Sequence, residues 1–398
     1  MRIHDVAVQE QFDSRGSSTI AVVLRDSAGR EHWASLPSGK SRGSREVTAF
    51  PFADAEQSVA RLRAGLLDSR FSSIGECDAW LLEQDATPAK ERIGGNVALG
   101  ISLAFARMLA EEGRLELWEL LRREFFPEAK GVVPPRIFSN LVNGGAHART
   151  NLDVQEFLVV ASGGSVTAMT RALVELYRSV GEALSRKRTA LPVGDEGGYA
   201  LDFKNNRSPI AVLETVIDAM DLEHEFLIGL DVAASNLWNA ERGRYRWEGR
   251  FVKKEKYMEW FAESFSRFKL LFSVEDPFEE DDASGFRDLL ARFPQKLIIG
   301  DDLTTTKSDT VAARIADRSV NGIIVKPNQI GTVSETCHAI QAAHRGGAKA
   351  ILSHRSGETD DPFLVHFARA SNAYGVKIGA PCRERMGKFN ELIRVYQS

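Results

Sequence analysis

Apolar and polar positions alternate along the first 36 residues in the manner of β-strands. Two such runs, IAVVLRD and HWASLP, are separated by the polar turn SAGR, in which Gly29 supplies the flexible position. From about residue 54 the spacing becomes helical, with apolar residues recurring every three or four positions. The helical segments are AEQSVARLRAGLLD, DAWLLEQD and the longer ALGISLAFARMLAEEGRLELWELLRREF. Strands followed by helices predict an α+β domain.

The stretch FPEAKGVVPPRI, which follows these helices, contains three prolines and a glycine and cannot continue a helix. We therefore place a domain boundary near residue 131, with one domain over residues 1–130 and a second over residues 131–398.

Beyond that boundary, short apolar runs alternate with amphipathic stretches such as MEWFAESFSRF and SETCHAIQAAHRGG. The runs are apolar on both faces, as expected of parallel strands covered by helices. A closed (β/α) barrel and an open doubly wound sheet both satisfy this repeat. The absence of GxGxxG after any run disfavours the dinucleotide-binding form of the open sheet. The runs are FLIGLD, LLFSVED, KLIIGDD, NGIIVKP, AKAILSH and GVKIGAP.

Length, apolar runs, net charge and cysteine content limit the class of protein to which the chain can belong. The 398 residues suffice for two or three domains, or for one small domain and a barrel. No apolar run approaches the roughly 18 residues that a membrane span needs, so we expect no membrane partner. The net charge of -4 gives no bulk reason to expect a nucleic acid partner, and any anion must be bound locally. Three cysteines without a CxxC pair, and an N-terminus without an apolar leader, predict a cytoplasmic protein.

Charged residues come at or just after the ends of the six predicted strands. A single one could be a helix cap or a solvated side chain, but six in succession predict that they share one rim. In a βα barrel the carboxyl-terminal rim holds the active site. The six residues are Asp231, Glu275, Asp301, Lys326, His354 and Lys377.

The three carboxylates of this set, Asp231, Glu275 and Asp301, carry too much negative charge to sit together without a cation. Their hard oxygen ligands favour Mg²⁺ over Zn²⁺, because no closely spaced His or Cys pair accompanies them. Lys326 and Lys377 would stand near the metal, where positive neighbours can leave one amine uncharged and able to remove a proton. The alternative is that both lysines only pair with the carboxylates.

Two loops add further candidates. NGGAHARTNLDVQEF contains His147 and Glu156, and VGDEGGYA contains Asp195 and Glu196. Two glutamates that share one site raise the pKa of at least one of them, so Glu156 and Glu196 are candidates for a general acid. Near the N-terminus, LPSGKSRGSRE is either a lid that closes over a ligand or a solvated linker.

Twelve segments, in order from residue 12 to about residue 394, together resemble the enolase family. SHRSGE, KPNQIG and VGDEGG are the most specific of these strings. The resemblance implies an enolase-type, TIM-like (β/α)8 barrel whose first turns depart from the regular repeat, preceded by an α+β capping domain. The segments are FDSRG, PSGKSRGSRE, GGNVALGISLAFAR, NGGAHA, QEF, VGDEGG, GLDVAAS, VEDPFEEDD, GDDLT, KPNQIGT, SHRSGETDD and KIGAPCRERMGKFNEL.

The resemblance also implies an activity, the Mg²⁺-dependent reversible dehydration of the small phosphorylated molecule 2-phosphoglycerate to phosphoenolpyruvate. It implies a homodimer or a larger homo-oligomer. The metal ligands would be Asp231, Glu275 and Asp301, with Ser41 contacting a second Mg²⁺ that arrives with substrate.

The same resemblance implies roles for the remaining site residues. Lys326 would be the base, and Glu196 the acid that protonates the leaving hydroxyl. Lys377 would contact the substrate carboxylate. The supporting groups around the acid and the phosphate would be Glu156, His147 and His354, and the phosphate contacts would be Arg355 and Ser356.

The chain departs from the family at several positions, none of them catalytic. Lys40 and Arg42 bring positive charge into the lid, where the family usually has small or neutral residues. A second function therefore stays open, in which a divergent paralogue acts on a related phosphorylated or phosphonylated 2-hydroxy acid. A third, a non-catalytic protein with an enolase fold, is disfavoured by the complete catalytic set. The other departures are Pro51, Phe52, Asn236, Ala283 and His366.

Overall fold

A computed structural model describes residues 1–40, 43–185 and 190–397. The chain begins with a three-stranded antiparallel sheet in the order β1-β2-β3. Four helices follow, so the predicted α+β arrangement is confirmed. The strands are β1 (Asp5–Phe12), β2 (Ser18–Arg25) and β3 (Glu31–Ser35). The helices are α1 (Phe52–Asp68), α2 (Ile74–Gln84), α3 (Gly95–Glu112) and α4 (Leu117–Phe125).

The long segment predicted to be helical is divided into α3 and α4. Arg114 adopts a left-handed backbone conformation with φ of 52°, which a helix cannot contain. The amide of Leu115 then donates to the carbonyl of Ala110 at 2.8 Å and closes the end of α3. Apolar spacing alone does not show such a break.

Helix α3 lies between the N-terminal sheet and the rest of the molecule. A Cβ atom at Gly100 would lie 2.4 Å from Val22 Cγ2, so only glycine lets the helix pack this closely on β2. On its other side, Ser102 Oγ accepts the amide hydrogen of Val333 at 3.0 Å. Asp78 of α2 accepts from the amide of Ser334 at 2.8 Å.

The second part of the chain forms a closed barrel, which decides between the two predicted arrangements. Around the barrel the strand order is β10-β11-β12-β13-β14-β4-β5-β6. Its strands are β4 (Arg136–Asn143), β5 (Glu156–Ala161), β6 (Phe226–Asp231), β10 (Leu271–Glu275), β11 (Leu297–Gly300), β12 (Gly322–Val325), β13 (Lys349–Ser353) and β14 (Gly375–Ile378). A small antiparallel sheet after β6 contains β7 (Trp238–Asn239), β8 (Arg244–Trp247) and β9 (Arg250–Val252).

Helices cover the outside of the barrel. No helix in the described ranges combines the length and apolarity needed to cross a bilayer. They are α5 (Val166–Ser185), α6 (Ser208–Ala219), α7 (Lys254–Arg267), α8 (Ala283–Arg292), α9 (Ser308–Ala316), α10 (Pro327–Ile330), α11 (Val333–Arg345), α12 (Phe363–Ser371) and α13 (Met386–Gln397).

Strand β5 runs against the direction of its neighbours. It pairs antiparallel with β4 and with β6, while the remaining barrel pairs are parallel. Its first residue, Glu156, lies opposite Asp231, the last residue of β6. The reversal therefore brings the start of β5 to the same rim as the ends of the other strands, and it confirms the predicted irregular first turns.

Below that rim, the barrel interior is filled by a separate apolar cluster, here called the barrel plug. Side chains from five of the eight barrel strands interdigitate there, as in other filled βα barrels. The barrel plug consists of Phe138, Leu158, Val160, Leu297, Ile299, Ile324 and Ile351.

Candidate active site

The six charged residues predicted to share one rim lie together at the mouth of the barrel. Each is at or next to the carboxyl end of its strand. Because the six strands run in parallel, these ends meet at one rim. Five of them line a cavity of about 30 Å³, and the sixth, Glu275, lies directly behind Lys377. The other predicted residues that line this cavity are His147, Glu156, Glu196, Arg355 and Ser356.

Lys377 is surrounded by carboxylates. Its Nζ lies 2.9 Å from Asp231 Oδ2, 2.7 Å from Glu275 Oε2 and 3.1 Å from Glu156 Oε2. Burial alone would lower the pKa of Lys377, but these carboxylates raise it well above its ordinary value. Burial, followed by the charge of Asp231, raises the pKa of Glu275 well above its ordinary value. One ammonium faces three buried carboxylates, and the repulsion among these carboxylates favours either a proton or a further cation on this side of the mouth.

The carboxylates predicted to bind a metal suit a hard divalent cation. Asp231 and Glu275 are paired in register on adjacent strands, and Asp301 follows the next strand of the ring. All three are buried, with relative exposures of 4%, 1% and 7%. Buried carboxylate oxygens in excess of the available cations are the donor set that Mg²⁺ takes. The donor chemistry of these residues therefore suits the predicted magnesium ion, and their assignment as its ligands stays a prediction.

Asp276 and Asp302, which the sequence analysis did not select, stabilise this arrangement. Ligand oxygens of Asp276, Asp301 and Asp302 lie within 4.8 Å of one another. The two oxygens of Asp276 accept the amide hydrogens of Asp301 at 2.8 Å and Asp302 at 2.7 Å. Asp276 thus fixes the turn that presents Asp301. Its position directly after Glu275 in VEDP was the available signal.

Lys326 donates to Asp301, whose other oxygen accepts from Gln329 Nε2 at 3.0 Å. Burial lowers the pKa of Lys326, but Asp301 and Glu275 together raise it above its ordinary value. The expectation of an amine left uncharged supposes a bound metal ion beside it and stays a prediction. Without that ion, the nearest charge to the ammonium is the Asp301 carboxylate. The alternative interpretation, in which the lysines pair with carboxylates, describes the contacts of both Lys326 and Lys377.

Across the mouth, Glu156 and Glu196 flank His147. The Nδ1 atom of His147 lies 3.3 Å from Glu156 Oε1 and 3.5 Å from Glu196 Oε1. Burial, followed by the charge of Glu196, raises the pKa of Glu156 to about 7. Burial acts in the same direction on Glu196, but His147 and His354 reverse it and lower the pKa of Glu196 well below its ordinary value. The pKa values of the paired glutamates are thus shifted in opposite directions, and the role of Glu196 as the acid stays a prediction.

The predicted phosphate contacts face the lid. The Arg355 guanidinium is buried, and its two terminal nitrogens donate to the two oxygens of Glu46 at 3.0 and 3.1 Å. Ser356 Oγ accepts the amide hydrogen of Lys40 at 3.0 Å. A Cβ atom at Gly39 would lie 1.7 Å from Arg355 Nη2, so glycine is needed for the lid to approach. Glu46, the carboxylate within an otherwise basic lid sequence, was not among the predicted site residues.

Lys40 connects the lid to the opposite loop, because its Nζ lies 3.0 Å from Asp195 Oδ2. Ser41 and Arg42 lie outside the described residues, so the proposed contact of Ser41 with a second Mg²⁺ stays a prediction.

Family comparisons agree with this geometry. A model described as the enolase N-terminal domain matches residues 3–121, and one described as the enolase C-terminal TIM barrel domain matches residues 131–398. Curated relatives named enolase from Natranaerobius thermophilus, Aeropyrum pernix and Nitratiruptor sp. are each 34% identical to this chain. The alignments cover 99% of this chain and 94%, 95% and 96% of the respective relatives. The protein therefore belongs to the enolase family and is an enzyme of the lyase class.

Proposed function

We propose that the protein is a cytoplasmic enzyme that catalyses the Mg²⁺-dependent, reversible dehydration of 2-phosphoglycerate to phosphoenolpyruvate. The observation that carries this proposal is the position of Lys326 relative to Glu156. Lys326 follows β12 and Glu156 begins β5, and these strands lie four places apart in either direction around the eight-stranded ring. A base and an acid pair on opposite sides of one cavity suit the removal of a proton and a hydroxyl from opposite faces of one substrate.

On the basic side, Lys326 Nζ in its uncharged form takes the proton next to the substrate carboxylate. Mg²⁺ bound by Asp301 would favour that form, because it would neutralise the carboxylate that now holds Lys326 as an ammonium. The substrate proton is a very weak acid, because its removal places a second negative charge beside the first. Asp231, Glu275 and Asp301 would hold Mg²⁺, which would supply positive charge to the substrate carboxylate as this charge develops. Lys377 lies among the same ligands and provides a further ammonium for that carboxylate.

On the acidic side, Glu196 donates a proton to the leaving hydroxyl. Glu156 holds a proton near neutral pH, since burial and Glu196 raise its pKa to about 7. His147 lies between the two carboxylates and can pass that proton from Glu156 to Glu196. Arg355 and Ser356 bind the phosphate at the lid side of the cavity, where Arg355 must exchange part of its contact with Glu46 for the phosphate oxygens.

The decisive test is the ultraviolet absorbance of the enol product after the pure protein is mixed with 2-phosphoglycerate and Mg²⁺. We expect the signal to rise, and exchange of the C2 proton with solvent to be lost in Lys326→Ala. Folded, metal-loaded protein that gives neither product nor exchange would overturn the proposal and favour a non-catalytic enolase-fold protein.

A related phosphorylated or phosphonylated 2-hydroxy acid with more negative charge is the second candidate substrate. Lys40 brings a cation into the lid: its backbone amide donates to Ser356 Oγ at 3.0 Å, and its Nζ lies 3.0 Å from Asp195 Oδ2. A cavity of about 1440 Å³ adjoins the catalytic cavity, with which it shares Gln155 and Ala233. Its exposed cations are matched by as many exposed carboxylates, so the argument for a more anionic substrate depends on Lys40. The cations are Lys204, Arg246, Arg250 and Lys256, and the carboxylates are Glu248, Glu255, Glu259 and Glu263.

Phosphonate and carboxyphosphonate analogues of 2-phosphoglycerate would decide between the candidates. A higher kcat/KM for a more anionic analogue would support the second, and a clear preference for 2-phosphoglycerate would reject it. The family resemblance also supports a homodimer, and light scattering coupled to size-exclusion chromatography would measure its mass.

A further inference from the structure

Arg385 is a buried arginine that the proposed reaction does not use. It ends the short helical turn Arg383–Arg385 after β14, and only 1% of its surface is exposed. Placing a guanidinium in the interior carries a large desolvation penalty unless its donors are matched by acceptors. The position of those acceptors therefore indicates what this side chain does.

The two terminal nitrogens of Arg385 connect two separate segments of the mouth. Nη1 donates to the carbonyl of Arg355 at 2.9 Å, and Nη2 donates to the carbonyls of Ser356 at 2.8 Å and Asp195 at 3.1 Å. One planar group thus fixes the turn after β13, which carries the proposed phosphate contacts, against the loop that carries Glu196. The remaining nitrogen, Nε, lies 3.1 Å from Glu384 Oε1.

Besides these three carbonyls, the terminal nitrogens contact His354. This contact determines which ring nitrogen of His354 carries the hydrogen. Arg385 Nη1 lies 2.9 Å from His354 Nδ1. A guanidinium only donates hydrogen bonds, so Nδ1 must be the acceptor, and the hydrogen of the neutral ring must be on Nε2. His354 Nε2 is buried, lies 3.5 Å from Glu196 Oε2, and makes no hydrogen bond within the described part of the chain.

We propose that Arg385 is a positioning residue that holds His354 in the Nε2–H tautomer and directs this N–H group at Glu196. The inference rests on the proposed function, in which Glu196 gives its proton to the leaving hydroxyl. As Glu196 becomes anionic, a fixed N–H donor beside it forms a stronger, charge-assisted hydrogen bond. His354 therefore stabilises the product form of the acid without exchanging a proton itself.

The electrostatics of the imidazole agree with this role. Burial lowers the pKa of His354 to about 4, against the opposing effect of Glu196. Arg385 acts in the same direction as burial, because a second positive charge beside the ring is unfavourable. The ring is thus neutral at physiological pH, as a tautomer lock requires.

The tautomer is measured directly by ¹⁵N NMR of the histidine side chains in the full-length protein, with His354→Gln for assignment. We expect Nε2 to carry the hydrogen in the unmodified protein. A ring protonated on Nδ1 instead would overturn the proposal, whatever the substrate and whether or not any variant folds.

Arg385→Met then tests the consequence, since it removes every donor while keeping most of the volume. We expect mixed tautomers at His354 and a kcat lower by about 10- to 100-fold, with KM changed far less, because the acid is misplaced. Arg385→Lys, which keeps one charged donor, should restore part of the kcat. Arg383→Met is the matched control, because Arg383 is exposed in the same turn and should leave both measurements unchanged.

Unaltered tautomer and kcat in a folded Arg385→Met protein would overturn the inference. If 2-phosphoglycerate gives no turnover while the NMR shows the Nε2–H tautomer and its loss in Arg385→Met, the proposed function fails and the positioning role stands. The two failures are therefore distinguishable.

Discussion

The barrel plug and the barrel mouth are built from the same strands and differ in chemistry within a few ångströms. Ile299 belongs to the plug, and Asp301, two residues later, belongs to the mouth. Ile324 and Lys326 have the same relation on the next strand. Residues two apart on a strand point to the same face, so each interior column changes from apolar to charged in one step. The plug supplies stability that the mouth, with its buried charges, does not.

The largest effect should follow from replacing the charged member of one such pair. Lys326→Met removes the proposed base, and we expect kcat to fall by about 10³-fold, within the range typical of general base catalysis. Met fills a similar volume but leaves the buried Asp301 without its ammonium partner, so the midpoint of thermal unfolding should also fall. Turnover above a tenth of the original rate in a stopped-flow absorbance assay would contradict the assignment.

The apolar member of the same pair should show the opposite behaviour. Ile324 is 1% exposed, and Ile324→Ala leaves a cavity in the plug that should lower the free energy of unfolding by about 4 kcal/mol. Urea unfolding measures this loss. The kcat per folded molecule should stay within about threefold of the original, because the plug touches no substrate. A large fall in kcat with unchanged stability would show that the plug contributes to catalysis rather than to stability.

The same contrast explains how much of the molecule could be predicted from its sequence. The apolar runs predicted six of the barrel strands, and the residues that end those runs predicted the rim. The direction of β5 is not encoded in EFLVVA, since an apolar run reads alike in parallel and antiparallel pairing. The contacts of Glu46 and Arg385 depend on groups distant in sequence, and the break at Arg114 is a local backbone conformation that apolar spacing does not show. The pKa of Lys326 could not be predicted, because it depends on which charged neighbour lies nearest.

A buried carboxylate outside the mouth should have an intermediate effect, this time on stability. Burial raises the pKa of Asp78 from its ordinary value of 3.8 to about 6, against hydrogen bonds from Ser102 and Ser334. Its neutral form therefore favours folding, and this contribution is complete below pH 4 and lost as the pH rises through 6. The side chain in Asp78→Asn cannot ionise, so the variant does not lose this contribution as the pH rises. Its free energy of unfolding, relative to that of the original protein, should therefore increase by about 2 kcal/mol between pH 4 and pH 7.

Urea unfolding at several pH values measures that increase, and the other titrating groups cancel in the comparison. A constant difference between the two proteins across this range would mean that Asp78 is ionised at little penalty. In that case buried charge would be tolerated here outside the mouth as well.

The smallest effect is expected at the edge of the mouth, in the pair of Lys40 with Asp195. Both side chains are partly exposed, at 45% and 26%, so solvent screens their attraction. Lys40→Ala should raise KM for 2-phosphoglycerate by about twofold to fivefold, equivalent to less than about 1 kcal/mol. A much larger rise for a more anionic analogue would identify Lys40 as a substrate contact. Asp195→Asn is the control that breaks the pair and keeps the lysine.

The reversed strand β5 also bears on the order in which the barrel assembles. Strands β4 and β5 pair across a short connection, with Asn143 opposite Glu156. Joining β14 to β4 instead closes a loop of more than 200 residues, for which the entropy penalty is larger. We therefore expect the β4–β5 ladder among the earliest contacts in folding, with Glu156 in place before Lys326 has been brought round to face it.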